Sequence, residues 1–188
     1  MIYTSAYTTP IGDVLLASKN NELIGLWFEG QKYYLNSINE EMQVKNEEEI
    51  LKKTKNWLDR YFKGEKPSIK EIKINPNGSD FRKEVWKILC KIPYGEVTTY
   101  KNIADTIAKE NGLKKMSSQA VGGAVSHNPI SIIIPCHRVV GSNGSLTGYA
   151  GGIDKKVYLL KHENVNMEKL FIPKKGTALW LKDVSGVI

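Results

Sequence analysis

Cys136 and His137 stand side by side after an apolar run at residues 130–134, flanked by Pro135, Arg138 and Val139. A thiol attacks only as thiolate, and a free pKa of about 8.5 leaves little of it ionised at neutral pH unless a base or a positive charge is near. His137 is the candidate base. The run 130–134 reads as a buried strand ending at Cys136. Neighbours in an extended segment point to opposite faces, so the proton would pass through a bridging water rather than by direct contact. A third group should orient the imidazole, and Glu163, in Lys161-His162-Glu163-Asn164 at the end of a predicted helix, is the best-placed carboxylate. Spacing alone leaves another reading open, a structural cysteine beside a surface histidine. The second cysteine, Cys90, falls inside a predicted amphipathic helix and is read as a packed core thiol.

The elements that must hold these groups follow from periodicity. Residues 2–6, 13–17 and 23–28 read as strands, the last two joined by Lys19-Asn20-Asn21-Glu22 as a hairpin. Ile50, Thr54, Trp57, Leu58 and Tyr61 recur at helical spacing, predicting a helix over about 47–62 that covers the sheet. Residues 69–74 alternate like a further strand. Asn75-Pro76-Asn77-Gly78 is rich in turn formers and marks the expected domain boundary, giving domains 1–78 and 79–188. Beyond it, Ser79 or Asp80 caps a helix with the stripe Phe81, Val85, Trp86, Leu89 and Ile92, ended by Pro93 and Gly95. A second helix starts near Thr98 or Thr99, turns Ile103, Ala104, Ile107 and Ala108 inward, and stops at Asn111-Gly112. Ser117 then caps a short helix to about residue 126, whose Ala120, Gly122, Gly123 and Ala124 suit close approach of another surface. The expected fold is α+β: a small N-terminal sheet-and-helix domain, then a mainly helical domain with a helix-turn-helix. The paired helices fit a DNA-reading unit, and ordinary core packing equally.

Charge divides the chain in the same place. Residues 1–79 balance 11 basic against 11 acidic residues, so the remaining 16 basic and 9 acidic residues carry the whole formal charge of +7. A basic half suits a polyanion, although charge alone also fits general solubility. No secretory h-region and no apolar run of about 18 residues is present, and there are only two cysteines. The expectation is a soluble cytoplasmic protein, with no membrane partner, whose thiols stay reduced.

Residues 128–140, Asn-Pro-Ile-Ser-Ile-Ile-Ile-Pro-Cys-His-Arg-Val-Val, closely resemble the active-site signature of methylated-DNA-protein-cysteine methyltransferases, also called 6-O-alkylguanine-DNA alkyltransferases. Further matches are Pro93-Tyr94-Gly95-Glu96-Val97 with Tyr100, Ala120-Val121-Gly122-Gly123-Ala124, Gly148-Tyr149-Ala150-Gly151-Gly152 and the Glu163 segment. Thr9-Pro10-Ile11-Gly12 looks like the family's opening. The resemblance implies irreversible transfer of an alkyl group from the 6-oxygen of guanine in double-stranded DNA to Cys136, after the nucleotide is flipped out at a cost of a few kcal/mol. It implies catalytic roles for Cys136, His137, Glu163 and Tyr100, the tyrosine crowding the phosphate and donating to a guanine ring nitrogen. Asn128 would tie the reading helix to the active-site region. The carbonyls of Cys136 and Val139 would accept the exocyclic amine, and Tyr149 and Ala150 lie in the loop that closes over the base. Arg138 would brace the two halves. Ser118, Gln119, Ala120, Gly122 and Gly123 would meet DNA in the minor groove, only about 6 Å wide.

The chain departs from the family pattern at three places. Gln119 stands where an arginine commonly fills the gap left by the flipped nucleotide; it still fills space and hydrogen-bonds, without charge. Ala150 replaces a frequent serine. Residues 108–116, with Lys109, Lys114 and Lys115, form a longer stretch that suits phosphate contacts or a solvated loop. The structural zinc of some relatives is excluded in this half, because residues 1–79 hold neither Cys nor His. Neither metal nor cofactor is expected, and the protein should act as a monomer. Competing readings are a lesion-binding protein without chemistry, against which Cys136 argues, and an alkylation-responsive DNA-binding regulator. The tail from Lys169 on, with Phe171, Leu179 and Trp180, has no assigned role.

Overall fold

The computed structural model describes residues 1–174. Strands β1 (Ile2–Thr9), β2 (Gly12–Lys19), β3 (Glu22–Phe28) and the short β4 (Met42–Val44) form a sheet in the order β3-β2-β1-β4, antiparallel except for the β1–β4 pair. The β2–β3 turn places Asn20 and Asn21 at φ 53° and 57°, the left-handed conformation a tight hairpin asks of both central residues. Helix α1 (Glu49–Phe62) lies against the sheet with Ile50, Thr54, Trp57, Leu58 and Tyr61 buried, the stripe its spacing predicts. β4, exposed throughout and only three residues long, carried no such signal.

Residues 69–74 do not form the expected strand. Ile69–Glu71 is a 3₁₀ turn: the Ser68 hydroxyl accepts from Lys70 N at 3.3 Å while the Glu71 carboxylate accepts from Ser68 N at 2.9 Å. This reciprocal cap outcompetes extended pairing, and only Ile74 reaches the sheet, through one bridge to Leu23.

The second part contains helices α2 (Asp80–Leu89), α3 (Tyr100–Glu110), α4 (Ser118–Ser126) and α5 (Ile153–His162). Ser79, Thr99 and Ser117 cap the first three, each hydroxyl accepting from the backbone three residues on. α3 and α4 pack together as the helix-turn-helix pair, and α2 fixes α4 from behind through Trp86 Nε1 donating to Ala124 O at 2.9 Å. Two-residue strands β5 (Thr98–Thr99) and β6 (Val139–Val140) pair in parallel, fastening the start of α3 to the segment after Cys136. Among the described residues no helix is long and apolar enough to cross a membrane.

Residues 130–134 are buried as expected but are not a strand. Ile130 makes one bridge with Leu26 of β3; the chain then turns, with Ile132 at φ 68°, Ile133 N donating to Ser131 O and Ile134 N to Ile130 O. Burial on every side accounts for the apolar run, and a continuous run carries no periodicity that separates a strand from a compact turn. The thiol therefore sits not at a strand end but in a 3₁₀ turn, Cys136–Arg138, so the strand alternation expected for Cys136, His137 and Arg138 does not apply.

Candidate active site

The Cys136 side chain is nearly enclosed, and its Sγ accepts a hydrogen bond from Asn128 Nδ2 at 3.1 Å. Asn128 immediately follows the C-cap of α4. Its amide also donates to Ile134 O at 2.8 Å, and its carbonyl accepts from Ile130 N at 3.0 Å, so one buried side chain joins the end of α4 to the turn that carries the thiol. Burial pushes the Cys136 thiol above its ordinary value; Asn128, the charge of Lys156 and nearby backbone N–H groups oppose the shift without cancelling it. The resting group is a protonated thiol in need of a base.

His137 is fully buried, and its Nε2 lies 2.7 Å from Glu163 Oε1. With Glu163 ionised, Nε2 carries the hydrogen and donates, and Nδ1 is left as the acceptor of a neutral imidazole; among the described residues Nδ1 has no partner. Burial drives the imidazole below its usual pKa, ahead of the raising influence of Glu163. Burial also opposes ionisation of Glu163, but the hydrogen bonds and charges of His137 and Arg138 outweigh it and hold the carboxyl well below the usual carboxylate range. Because the imidazole is neutral, the permanent charge of Arg138 is the dependable part of that effect.

Arg138 grips Glu163 with Nε at 2.8 Å and Nη2 at 3.0 Å and donates through Nη1 to Ile92 O at 2.6 Å. Both partners lie in the second half of the chain, so Arg138 does not brace the two halves as expected; it ties the end of α2 to the end of α5. At this carboxylate the first half is represented by Tyr61 of α1, whose hydroxyl donates to Glu163 Oε1 at 2.6 Å. Gly95, at φ +80°, brings its N–H to 3.3 Å from Glu163 Oε2, and a Cβ there would stand 2.9 Å from the Glu163 carbonyl oxygen, so glycine is required for the approach.

Tyr100, Tyr149 and Lys156 also lie near the thiol. The Tyr100 hydroxyl donates to Thr147 O at 3.0 Å, and burial, with the proximity of Cys136, pushes its pKa up to about 12. Tyr149 meets the His137 ring edge-on at 6.4 Å; its buried hydroxyl faces Ser131 without closing a hydrogen bond. Lys156, missed from sequence, is wholly buried: Nζ donates to Val139 O at 2.6 Å and to Thr147 O at 2.7 Å. Burial lowers its pKa to about 8. One acceptor site of the Val139 carbonyl is thus already used. Lys156 falls on the same α5 stripe as Leu159, Leu160 and Glu163, a spacing that could have marked it as inward-facing. The loop carrying Tyr149 and Ala150 is held from the N-terminal part, where Lys32 N donates to Ala150 O at 3.1 Å.

Ser118, Gln119, Ala120 and Gly123 lie exposed along α4, with Gly122 partly so. A Cβ at Gly123 would meet nothing within 4 Å, and one at Gly122 only the Tyr100 ring at 3.8 Å, so internal packing does not demand glycine at either position. Cys90, just past α2, is partly buried against the main core, and burial raises its thiol to about 11. Phe171 bridges Ser145, while Leu179 and Trp180 lie outside the described residues.

Fold and site together describe an α+β protein in which a sheet-and-helix part supports a helix pair, with an enclosed cysteine beside a His–Glu–Arg network. Comparison with known proteins gives that description its place. The family model "6-O-methylguanine DNA methyltransferase, ribonuclease-like domain" matches residues 2–76, and the model of that family's DNA binding domain matches residues 80–165. The methylated-DNA-protein-cysteine methyltransferase of Methanosarcina barkeri is 43% identical over 88% of this chain and 99% of the relative; that of Haemophilus influenzae is 35% identical over 94% and 91%. The crystal structure of Mycobacterium tuberculosis OGT in complex with DNA superposes with a TM-score of 0.74 at 36% identity, covering 86% of this chain and 92% of that one. An O6-methylguanine DNA methyltransferase from Methanococcus jannaschii gives a TM-score of 0.62 at 32% identity over 90% and 99%. The chain belongs to the 6-O-methylguanine DNA methyltransferase family.

Proposed function

We propose that this protein repairs DNA by direct reversal, taking the alkyl group of a 6-O-alkylguanine in duplex DNA onto Cys136 and acting once per molecule. The observation that carries the reading is the enclosed Cys136 thiol, tied by Asn128 to the end of α4 and neighboured by a buried, neutral His137 on an ionised Glu163. The alkylated nucleotide rotates out of the stack, Gln119 occupies its place, and the base enters beside Cys136. His137 Nδ1 takes the thiol proton, through one water, and Glu163 steadies the imidazolium that forms. The carbon–sulfur bond forms as the bond from carbon to the guanine 6-oxygen breaks. The departing guanine gathers negative charge, which the Tyr100 hydroxyl and the cationic Lys156 are placed to offset until its ring nitrogen takes up one proton, in balance with the one His137 received from the thiol. The thioether has no leaving group comparable to guanine, so the step does not reverse. No cofactor takes part, since the lesion supplies the electrophile.

The reading extends to a monomer working in the cytoplasm, with residues 1–78 as supporting domain and 79–188 as DNA-binding and alkyl-accepting domain. Incubating the protein with a 6-O-methylguanine duplex and mapping peptides by mass tests it: one CH2 gained, at Cys136 alone. An unmodified protein, or a methyl group on Cys90, would overturn it.

A further inference from the structure

The Glu163 carboxylate receives more donors than its ionisation needs. Arg138 Nε and Gly95 N reach Oε2 at 2.8 and 3.3 Å, while Arg138 Nη2, His137 Nε2 and the Tyr61 hydroxyl reach Oε1 at 3.0, 2.7 and 2.6 Å. Arg138 alone supplies a fork to both oxygens, the geometry that best holds a carboxylate ionised. Tyr61 adds the shortest of the five contacts, on the same oxygen that His137 uses, and is the one donor that comes from the N-terminal part. Its phenol is fixed by its surroundings. The ring is buried, stacks on Trp57 at 5.5 Å and 9°, meets Phe62 and Tyr94 edge-on at 5.2 and 6.0 Å, and its backbone carbonyl lies 2.7 Å from His162 Nε2. A hydroxyl so enclosed stays protonated, so it can only donate toward the carboxylate.

We infer that Tyr61 is a positioning residue for alkyl transfer, tuning the basicity of His137 from the N-terminal domain through the shared Glu163 oxygen; the inference rests on the function proposed above. A donor on Oε1 draws electron density from the oxygen that faces His137 Nε2 and so weakens the pull of Glu163 on the imidazolium. Removing it leaves a stronger acceptor for His137. The other groups facing the imidazole are Arg138 and Lys156, which oppose its protonation, Cys136 next in chain, and Tyr149, edge-on and protonated; Tyr94 lies under Arg138 rather than against His137. None of these groups is itself replaced when the Tyr61 hydroxyl is altered.

Single-turnover transfer from 6-O-methylguanine duplex, followed by mass from pH 5 to 9, gives the test. Tyr61→Phe keeps the ring and removes the donor, so the acid limb of the rate profile should move to higher pH by about half to one unit, the worth of one charge-assisted hydrogen bond shared among several. Trp57→Phe disturbs the same aromatic cluster but keeps the hydroxyl and should leave the limb in place. Site-specific 3-fluorotyrosine at position 61, nearly isosteric and a stronger donor, should move the limb the opposite way, and it decides the matter if Tyr61→Phe does not fold. A profile lowered uniformly without displacement, an equal displacement in Trp57→Phe, or no displacement with fluorotyrosine would overturn the inference. Wild type that transfers nothing at any pH would instead remove the function on which it rests.

Discussion

Around Glu163 five donors converge on one buried carboxylate, whereas the exposed face of α4 presents Ser118, Gln119, Ala120 and Gly123, uncharged and, Gln119 apart, small. The first region is over-determined, because a neutral imidazole and a protonated thiol react only when proton acceptance is arranged beforehand. The second is sparsely furnished, which suits the proposed entry of α4 into a narrow groove, where bulky side chains would hold the helix off. One surface works by what it holds and the other by what it omits, and substitutions should fail differently in the two.

The largest expected effect is at the thiol. Cys136→Ser should abolish transfer while leaving affinity for duplex nearly unchanged, read by peptide mass and by a binding titration, since no group on α4 is altered. Glu163→Gln comes next. It keeps the shape and removes the charge, so transfer should slow by about 10²-fold, and the stranded Arg138 should cost about 3 kcal/mol of stability in a urea melt. The same variant alters the acid limb of stability. The folded pKa of Glu163 is depressed, so its contribution is complete above the unfolded carboxyl value and is lost as pH falls below it; Glu163→Gln should show a flatter stability profile below about pH 4.5. A Glu163→Gln protein with wild-type single-turnover rate would break the network side of the comparison.

Effects on α4 should run in the reverse sense. At Gly123→Leu the side chain leaves an exposed position where a Cβ meets nothing within 4 Å, and leucine improves helix propensity, so thermal stability should hold or rise, while duplex affinity falls on the order of tenfold, about 1.4 kcal/mol. A loss of stability with binding intact would mean the glycine serves the fold. The smallest effect is at Gln119. Gln119→Arg should tighten duplex binding and steepen its salt dependence by up to about one phosphate, and Gln119→Ala should slow repair of duplex more than of free modified base, which needs no extrusion. Equal loss on both substrates would place Gln119 in the pocket or the fold.

What the sequence made legible follows the same division. Helices α1 to α4, with their caps at Ser79, Thr99 and Ser117, were readable because an apolar stripe and a hydroxyl cap are local signals. The fully apolar 130–134 run was not, since a segment buried on all sides has no face to reveal its period, and the error carried into the expected orientation of His137. The Ser68 to Glu71 cap stands in the sequence as a serine three residues before a glutamate, a local signal that competes with the alternation over 69–74. Tyr61 was correctly placed on the buried stripe of α1, but its partner is 102 residues away, and no spacing rule connects a phenol to a carboxylate at that separation. Arg138 was expected to brace the two halves; its partners, Ile92 O and Glu163, both lie in the second half, a pairing that no local spacing reveals.

The enclosure of Cys136 bears on how long the molecule lasts before it is used. A protein that reacts once cannot be regenerated by turnover, and any peroxide or stray alkylating agent that reaches its sulfur removes it from service. Oxidants and soft electrophiles attack thiolates at accessible positions. Here Cys136 is 6% exposed and its thiol protonated at rest, so it offers neither an open nor an ionised sulfur to such reagents. The burial that makes the thiol sluggish is therefore also its preservative, and the waiting protein ages slowly in a cell whose other cysteines are being oxidised.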